Sequence, residues 1–172
     1  VETIGVNKST KMKLTMNVLI ITRNFYPYNN IGSFRINSFA KYFRKAGHSV
    51  TVVAEGERDE AITWNDCDIH YIKDPIMTPK YLHNLEQKNK KWTLRRVIRA
   101  LESRIFFGGP CIWRAKTCKK VEELFQKNNF DVVLSSYGPL TPHALVMKVL
   151  KKRYKFFWVA DMRDEMSKLP YY

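Results

Sequence analysis

Cysteine is scarce in this sequence and poorly spaced for chemistry. Cys67, Cys111 and Cys118 are odd in number and form no C-x-x-C pair, so neither a disulfide framework nor a zinc site is indicated, and reduced thiols are expected. Long apolar runs are missing as well. The run near the start, Val18–Ile21, is too short for a signal-peptide core, and no segment approaches the ~20 apolar residues of a membrane span. The expectation is a cytoplasmic chain, soluble or peripheral on the inner face of a membrane. Glycine is sparse where nucleotide-binding loops need it. Gly32 is alone between Asn17 and Ala46, and neither G-x-G-x-x-G nor G-x-x-x-x-G-K-[ST] occurs. Acidic residues number 16 against 30 Lys and Arg, a formal charge of +14 whose field attracts polyanions: nucleic acid, an anionic membrane surface or phosphorylated small molecules. With 45% hydrophobic residues, the 172-residue chain is not of the disordered class and suits one domain.

What is present alternates strand-like and helix-like segments. Asn17–Thr22 is a continuous, largely β-branched apolar run, as in a strand covered on both faces. Ile36, Phe39, Ala40 and Phe43 then recur at helical spacing, with Gly47 where a left-handed cap is wanted. Val50–Val53 follows as a second strand, giving a βαβ unit. Glu55–Glu60 reads as an acidic turn and Asp68–Ile72 as a weaker strand. Leu94, Val97, Ile98, Leu101 and Ile105 predict an amphipathic helix opening at Thr93; after Gly108-Gly109-Pro110, Cys118, Val121, Leu124 and Phe125 mark another, ending near Asn128. Asp131–Ser136 is the next strand, Thr141-Pro142 an N-cap with proline behind it for a helix to about Lys152, and Phe156–Ala160 the last strand. The pattern predicts an α/β, Rossmann-like open parallel sheet with helices on both faces, spanning residues 16–172 behind a polar tail, 1–15, expected to be processed or added.

In such a sheet, ligands bind outside the carboxyl ends of the strands. Three loops there carry chemistry. Asn24–Ser33 runs into a helix N-terminus whose amide groups favour an anion, and Gly32 would permit close approach; a glycine serving the turn alone is the plain alternative. Ser135–His143 sets His143 in the first turn of a helix, where it can donate to a hydroxyl, act as a general base or simply pack. Asp161-Met-Arg-Asp164 gathers two carboxylates around Arg163, suited to a diphosphate and sugar hydroxyls, or to an internal ion-pair cluster.

On these residues the chain resembles glycosyltransferase family 4. The resemblance rests on Met16–Pro27 (MNVLIITRNFYP), Gly32 and Phe39–Val53, then Asp131–Leu134, Gly138–His143 and Trp158–Asp164, in order. It implies the N-terminal, acceptor-side half of a GT-B fold, in which two Rossmann-like domains face across a cleft. Gly32 and Ser33 would lie near the donor phosphates, and Gly138, His143, Asp161, Arg163 and Asp164 would line the cleft, with His143, Asp161 and Asp164 the catalytic candidates. The implied activity is retaining sugar transfer from a nucleotide-sugar co-substrate, without cofactor or metal, to a glycan or lipid-linked acceptor in cell-surface polysaccharide or glycolipid biosynthesis. The donor is held mainly by a C-terminal domain absent from these residues; the family's pair of Glu eight positions apart has no counterpart here. This stretch alone is expected to be inactive. The family often has paired glycines where this chain has Asn30-Ile31-Gly32, which weakens the phosphate contact.

Charge is concentrated in Lys88–Lys127, with twelve Lys/Arg against three Glu. Trp92, Arg95, Arg96, Arg99, Phe106, Phe107 and Trp113 would suit an anionic membrane or acceptor surface. The same basic, aromatic stretch suggests a nucleic-acid-binding module, although no recognised motif for one is present. A non-catalytic half-domain that pairs with a separate donor-binding chain is the third reading.

Overall fold

A computed structural model describes residues 15–74, 111–136 and 140–162. The elements are β1 (Asn17–Ile21), α1 (Ile31–Lys45), β2 (Ser49–Gly56), β3 (Glu60–Trp64) and β4 (Cys67–Lys73), followed by α2 (Cys111–Lys127) and β5 (Val132–Ser136). A helical stretch then runs as α3 (Thr141–Leu145), a π-helical turn (Val146–Leu150) and α4 (Lys151–Arg153), before β6 (Phe157–Asp161). The tail 1–14, the expected helix 93–105, and the site candidates Gly138, Arg163 and Asp164 lie outside the described residues.

The six strands are ordered β3-β4-β2-β1-β5-β6, all parallel except β3, which pairs antiparallel with β4. The sheet is therefore mixed, where a parallel sheet was expected. The strand missed in the sequence is β3: β2 continues through Glu55 to Gly56, and the chain returns at once into a hairpin. Its turn is Asn65-Asp66, both at positive φ (47° and 57°), the pairing that a two-residue hairpin with native twist requires. Gly56 is needed by this packing, since a Cβ there would lie 2.5 Å from Tyr71 Cβ.

β1 is central, and its residues alternate between two cores. Val18 and Ile20 join Ile36 and Ala40 of α1, with Val52 and Ile69, on one face. Leu19 and Ile21 join Trp113, Val121 and Leu124 of α2, with Leu145 and Val146, on the other. Helices thus cover both faces. Helix α1 starts in a capping box: Asn30 Oδ1 accepts from Ser33 N (2.8 Å), and Ser33 Oγ accepts from Asn30 N (3.1 Å). It ends with Gly47 at φ 92°, donating to Arg44, while His48 N donates to the Phe43 carbonyl. Thr141 is not the N-cap expected of it. Leu140 holds that position without a side-chain bond, and Thr141 and Pro142 lie inside the first turn.

Trp113 corrects the expected membrane surface. It is 0% exposed, filling the core under α2. The helical period explains this: Trp113, Thr117, Val121 and Leu124 share the buried stripe, so the lysines lie opposite them. Trp92, Arg95, Arg96, Arg99, Phe106 and Phe107 lie outside the described residues. No helix among the described residues is long and apolar enough to cross a membrane. Trp113→Ala should destabilise the fold by about 3–5 kcal/mol in urea unfolding, the cost of a large core cavity. A surface tryptophan would shift the unfolding midpoint very little.

Candidate functional site

The strand order sets the site. From β1 the chain crosses through α1 to β2 on one side, whereas α2 carries it back past β1 to β5 on the other. The carboxyl ends of β1 and β5 are therefore a topological switch point, where crevices form in open α/β sheets. Helix α1 opens from β1 on one face of this crevice and α3 opens from β5 on the other.

On the α1 face, Asp161 closes β6 in register with Ser136 at the end of β5. Ser136 Oγ donates to Asp161 Oδ2 at 3.0 Å, and Arg35, from the first turns of α1, ion-pairs with Oδ1. Asp161 is the sequence-predicted residue that the structure ties directly to α1. Arg35 was not among the residues singled out in the sequence. Its guanidinium also sits 5.7 Å from the Phe39 ring centre. Gly32 is buried in the same helix turn. Ser33, expected beside phosphates, is buried too, with its amide held by Asn30 and its hydroxyl donating to the Tyr28 carbonyl. Its work is to cap the helix.

His143 stands on the other face. Val133, Ser135 and Trp158 point towards α3, and Trp158 Nε1 donates to Ser135 Oγ at 2.8 Å. Ser135 Oγ is 2.7 Å from His143 Nδ1. Indole can only donate, so the serine accepts there and has its own proton for the imidazole; a neutral ring accepting at Nδ1 fits this chain. Burial pushes His143 below the ordinary histidine value, against the opposing pull of the Asp161 carboxylate and backbone carbonyl. His143 is 7% exposed and links α3 to β5 through Ser135. Its Nδ1 meets Ser135, whereas the Asp161 carboxylate meets Ser136 and Arg35.

A second charged cluster, also unforeseen, caps β1, β2 and β4. Arg23 ion-pairs with Glu55, lies 3.8 Å from Asp74 and sits 5.8 Å from the Trp113 ring centre. A cleft of about 390 Å³ lies elsewhere, between α2 and the β3–β4 hairpin, with His70 on its wall. Its three lysines, Lys116, Lys119 and Lys120, meet three acids, Asp59, Glu60 and Glu123, so its charge favours no anion. Cys67 and Cys118 are poor nucleophiles: burial pushes the Cys67 thiol up to about 11 and raises that of Cys118. No group of three or more His, Cys, Asp or Glu converges as a metal site among the described residues.

No protein-family model matches the chain, and no curated protein matches it. Among solved structures it is similar to the C-terminal domain of a hydrogenase from Pyrococcus furiosus. One crystal structure of that domain gives 18% identity and a TM-score of 0.47, covering 86% of this chain and 91% of the other. Another gives 16% and 0.45, covering 91% and 98%. A likeness at this level assigns neither fold nor function.

His70 is likewise held below the ordinary value, by burial first and then by Lys120 and Lys127, against Asp68 and Glu123. Both histidines are therefore more easily protonated unfolded than folded. Their stabilising contribution is complete above the unfolded value of about 6.5 and is lost as pH falls through their lower folded values. Urea unfolding midpoints should drop between pH 7.5 and pH 5. His143→Gln should remove part of that drop, leaving the His70 share; an unchanged pH profile would contradict the buried, neutral His143.

Proposed function

We propose that this chain is the acceptor-binding half of a retaining, nucleotide-sugar-dependent glycosyltransferase of the GT-B type. The supporting observation is the polar cluster at the switch point, where Asp161, Arg35 and Ser136 meet beside the N-terminal turn of α1. A carboxylate held at a strand end accepts a hydrogen bond from a sugar hydroxyl and orients it. A guanidinium beside a helix N-terminus meets the charge that develops on a departing phosphate. The motif resemblance, from Met16–Pro27 through Trp158–Asp164, supports the same reading. In it, the donor is held chiefly by a second domain, and the acceptor is a glycan or lipid-linked sugar of a cell-surface polysaccharide or glycolipid. The net charge of +14 favours approach to an anionic membrane surface.

The experiment is a transfer assay across a panel of nucleotide sugars. The 172-residue chain alone should transfer nothing, and a protein joining it to a donor-binding domain should transfer one sugar with retention of anomeric configuration. Asp161→Asn in that protein should lower kcat/KM by roughly a hundredfold, a loss of the size seen when a preorganised polar group is removed from a reacting centre. Inactivity of the joined protein with every donor would count against the reading.

A further inference from the structure

We propose that Arg35 is an anion-binding residue of the crevice that Asp161 holds in reserve. A ligand phosphate takes the guanidinium from the Asp161 carboxylate, and the carboxylate is thereby released to a ligand hydroxyl. The inference rests on the crevice of the proposed transferase, but it requires no sugar transfer.

Four observations carry it. First, the partners are unequally exposed: the Arg35 side chain is 44% exposed and that of Asp161 6%. The arginine is the partner that solvent and ligands can reach. Second, Asp161 has an independent anchor. Ser136 Oγ holds Oδ2 at 3.0 Å while Arg35 engages Oδ1, so the carboxylate stays hydrogen-bonded when the arginine leaves. Third, Arg35 engages Asp161 through one nitrogen, Nη2. A guanidinium carries five N–H donors in a planar fork, and a phosphate can use two in parallel where this carboxylate uses one. Fourth, the guanidinium is aimed by the helix rather than by its acidic partner. The capping box fixes the start of α1, and the Phe39 ring supports the side chain from below. Exchange of an oxyanion for Asp161 then demands little rearrangement.

The position suits a phosphate also on electrostatic grounds. Arg35 lies one turn along α1 from Ile31, near the positive end of the helix dipole. No acidic residue lies in the first turn of α1 to compete with a bound anion. Among the described residues Asp161 is then the local competitor, and that competition yields a test of distinctive sign. If the pair were simply structural, neutralising Asp161 would leave anion affinity unchanged or weaken it by disturbing the site. If Asp161 occupies the guanidinium in place of a ligand, neutralising it must strengthen binding.

The probe is pyrophosphate, titrated calorimetrically at low ionic strength into the intact 172-residue chain, with circular dichroism as the check on folding. Asp161→Asn, which keeps the hydrogen-bonding shape towards Ser136, should bind pyrophosphate three- to tenfold more tightly, roughly the worth of one partly exposed ion pair. Arg35→Gln should lose at least tenfold, and Arg35→Lys, which retains the charge without the fork, should fall between Arg35→Gln and wild type. Should Arg35→Gln unfold, Arg35→Lys against the wild type still reports the contribution of the fork. Inorganic phosphate in parallel distinguishes a diphosphate ligand from a monophosphate one, and tighter binding of either by Asp161→Asn supports the proposal. Equal or weaker binding by folded Asp161→Asn, unchanged binding by Arg35→Gln, or no binding by either wild type or Asp161→Asn would overturn it. Because the titration contains no sugar donor, a failed transfer assay with this binding pattern intact would remove the transferase reading and leave the Arg35 assignment standing.

Discussion

The structure depends on β1 being enclosed on every side. It is hydrogen-bonded to β2 along one edge and β5 along the other, and its residues alternate between the α1 core and the α2–α3 core. Val18, Leu19, Ile20 and Ile21 are all buried, so no polar residue can be tolerated between Val18 and Ile21 and the register cannot slip without exchanging the two cores. Enclosure also fixes where chemistry can occur. With both edges occupied by strands reached in opposite directions, the top of β1 is the point where α1 and α3 diverge, and the groups around it come from segments far apart in sequence. Arg35 and Asp161, 126 positions apart, meet for that reason.

The sheet also separates roles that the sequence placed together. Ser136 and Asp161 face α1, while Ser135, Trp158 and His143 meet behind the sheet, since neighbouring residues of a strand point to opposite faces. The two serines of Ser135-Ser136 thus serve different networks. One anchors the carboxylate that faces the crevice, and the other completes a buried donor chain from indole to imidazole. The contact with Ser135 satisfies Nδ1 of the buried histidine and ties the start of α3 to β5. A shift of α3 would therefore be felt at the strand that carries Asp161.

The fold was legible in the sequence wherever burial was symmetrical. Asn17–Ile21, Val132–Ser136 and the Ile36–Phe43 stripe announce themselves because strands covered on both faces are continuous apolar runs and a covered helix has an apolar stripe. β3 was illegible because its turn, Asn65-Asp66, contains no glycine to mark it, and the acidic residues before it suggested a loop. Trp113 was misjudged because charge density in Lys88–Lys127 says nothing about which helix face carries the charge. Asp161 could be anticipated from its place at the end of an apolar strand. Arg35 could not, since its partner is defined only once the strand order brings β6 beside α1. A signal was available in retrospect: α1 has no acidic residue in its first turn, yet an arginine follows immediately.

The two charged clusters beside β1 now separate by a physical criterion. Arg23, Glu55 and Asp74 are nearly sealed, with side-chain exposures of 12%, 4% and 0%. Removing one member of such a group leaves an uncompensated buried charge at a cost of about 3–5 kcal/mol, so its members do not exchange partners with a ligand. It belongs to the architecture, locking the ends of β1, β2 and β4 over Trp113. The Arg35–Asp161 pair joins a buried, separately anchored acid to a half-exposed base, and a pair with so exposed a member adds only about 0–1 kcal/mol to stability. An interaction that contributes little to folding, yet is held in a fixed geometry at the switch point, is the one that a ligand can displace without loosening the fold. The division follows the strand order. On the β2 side of β1 the charges are committed to structure, and on the β5 side they remain available for binding.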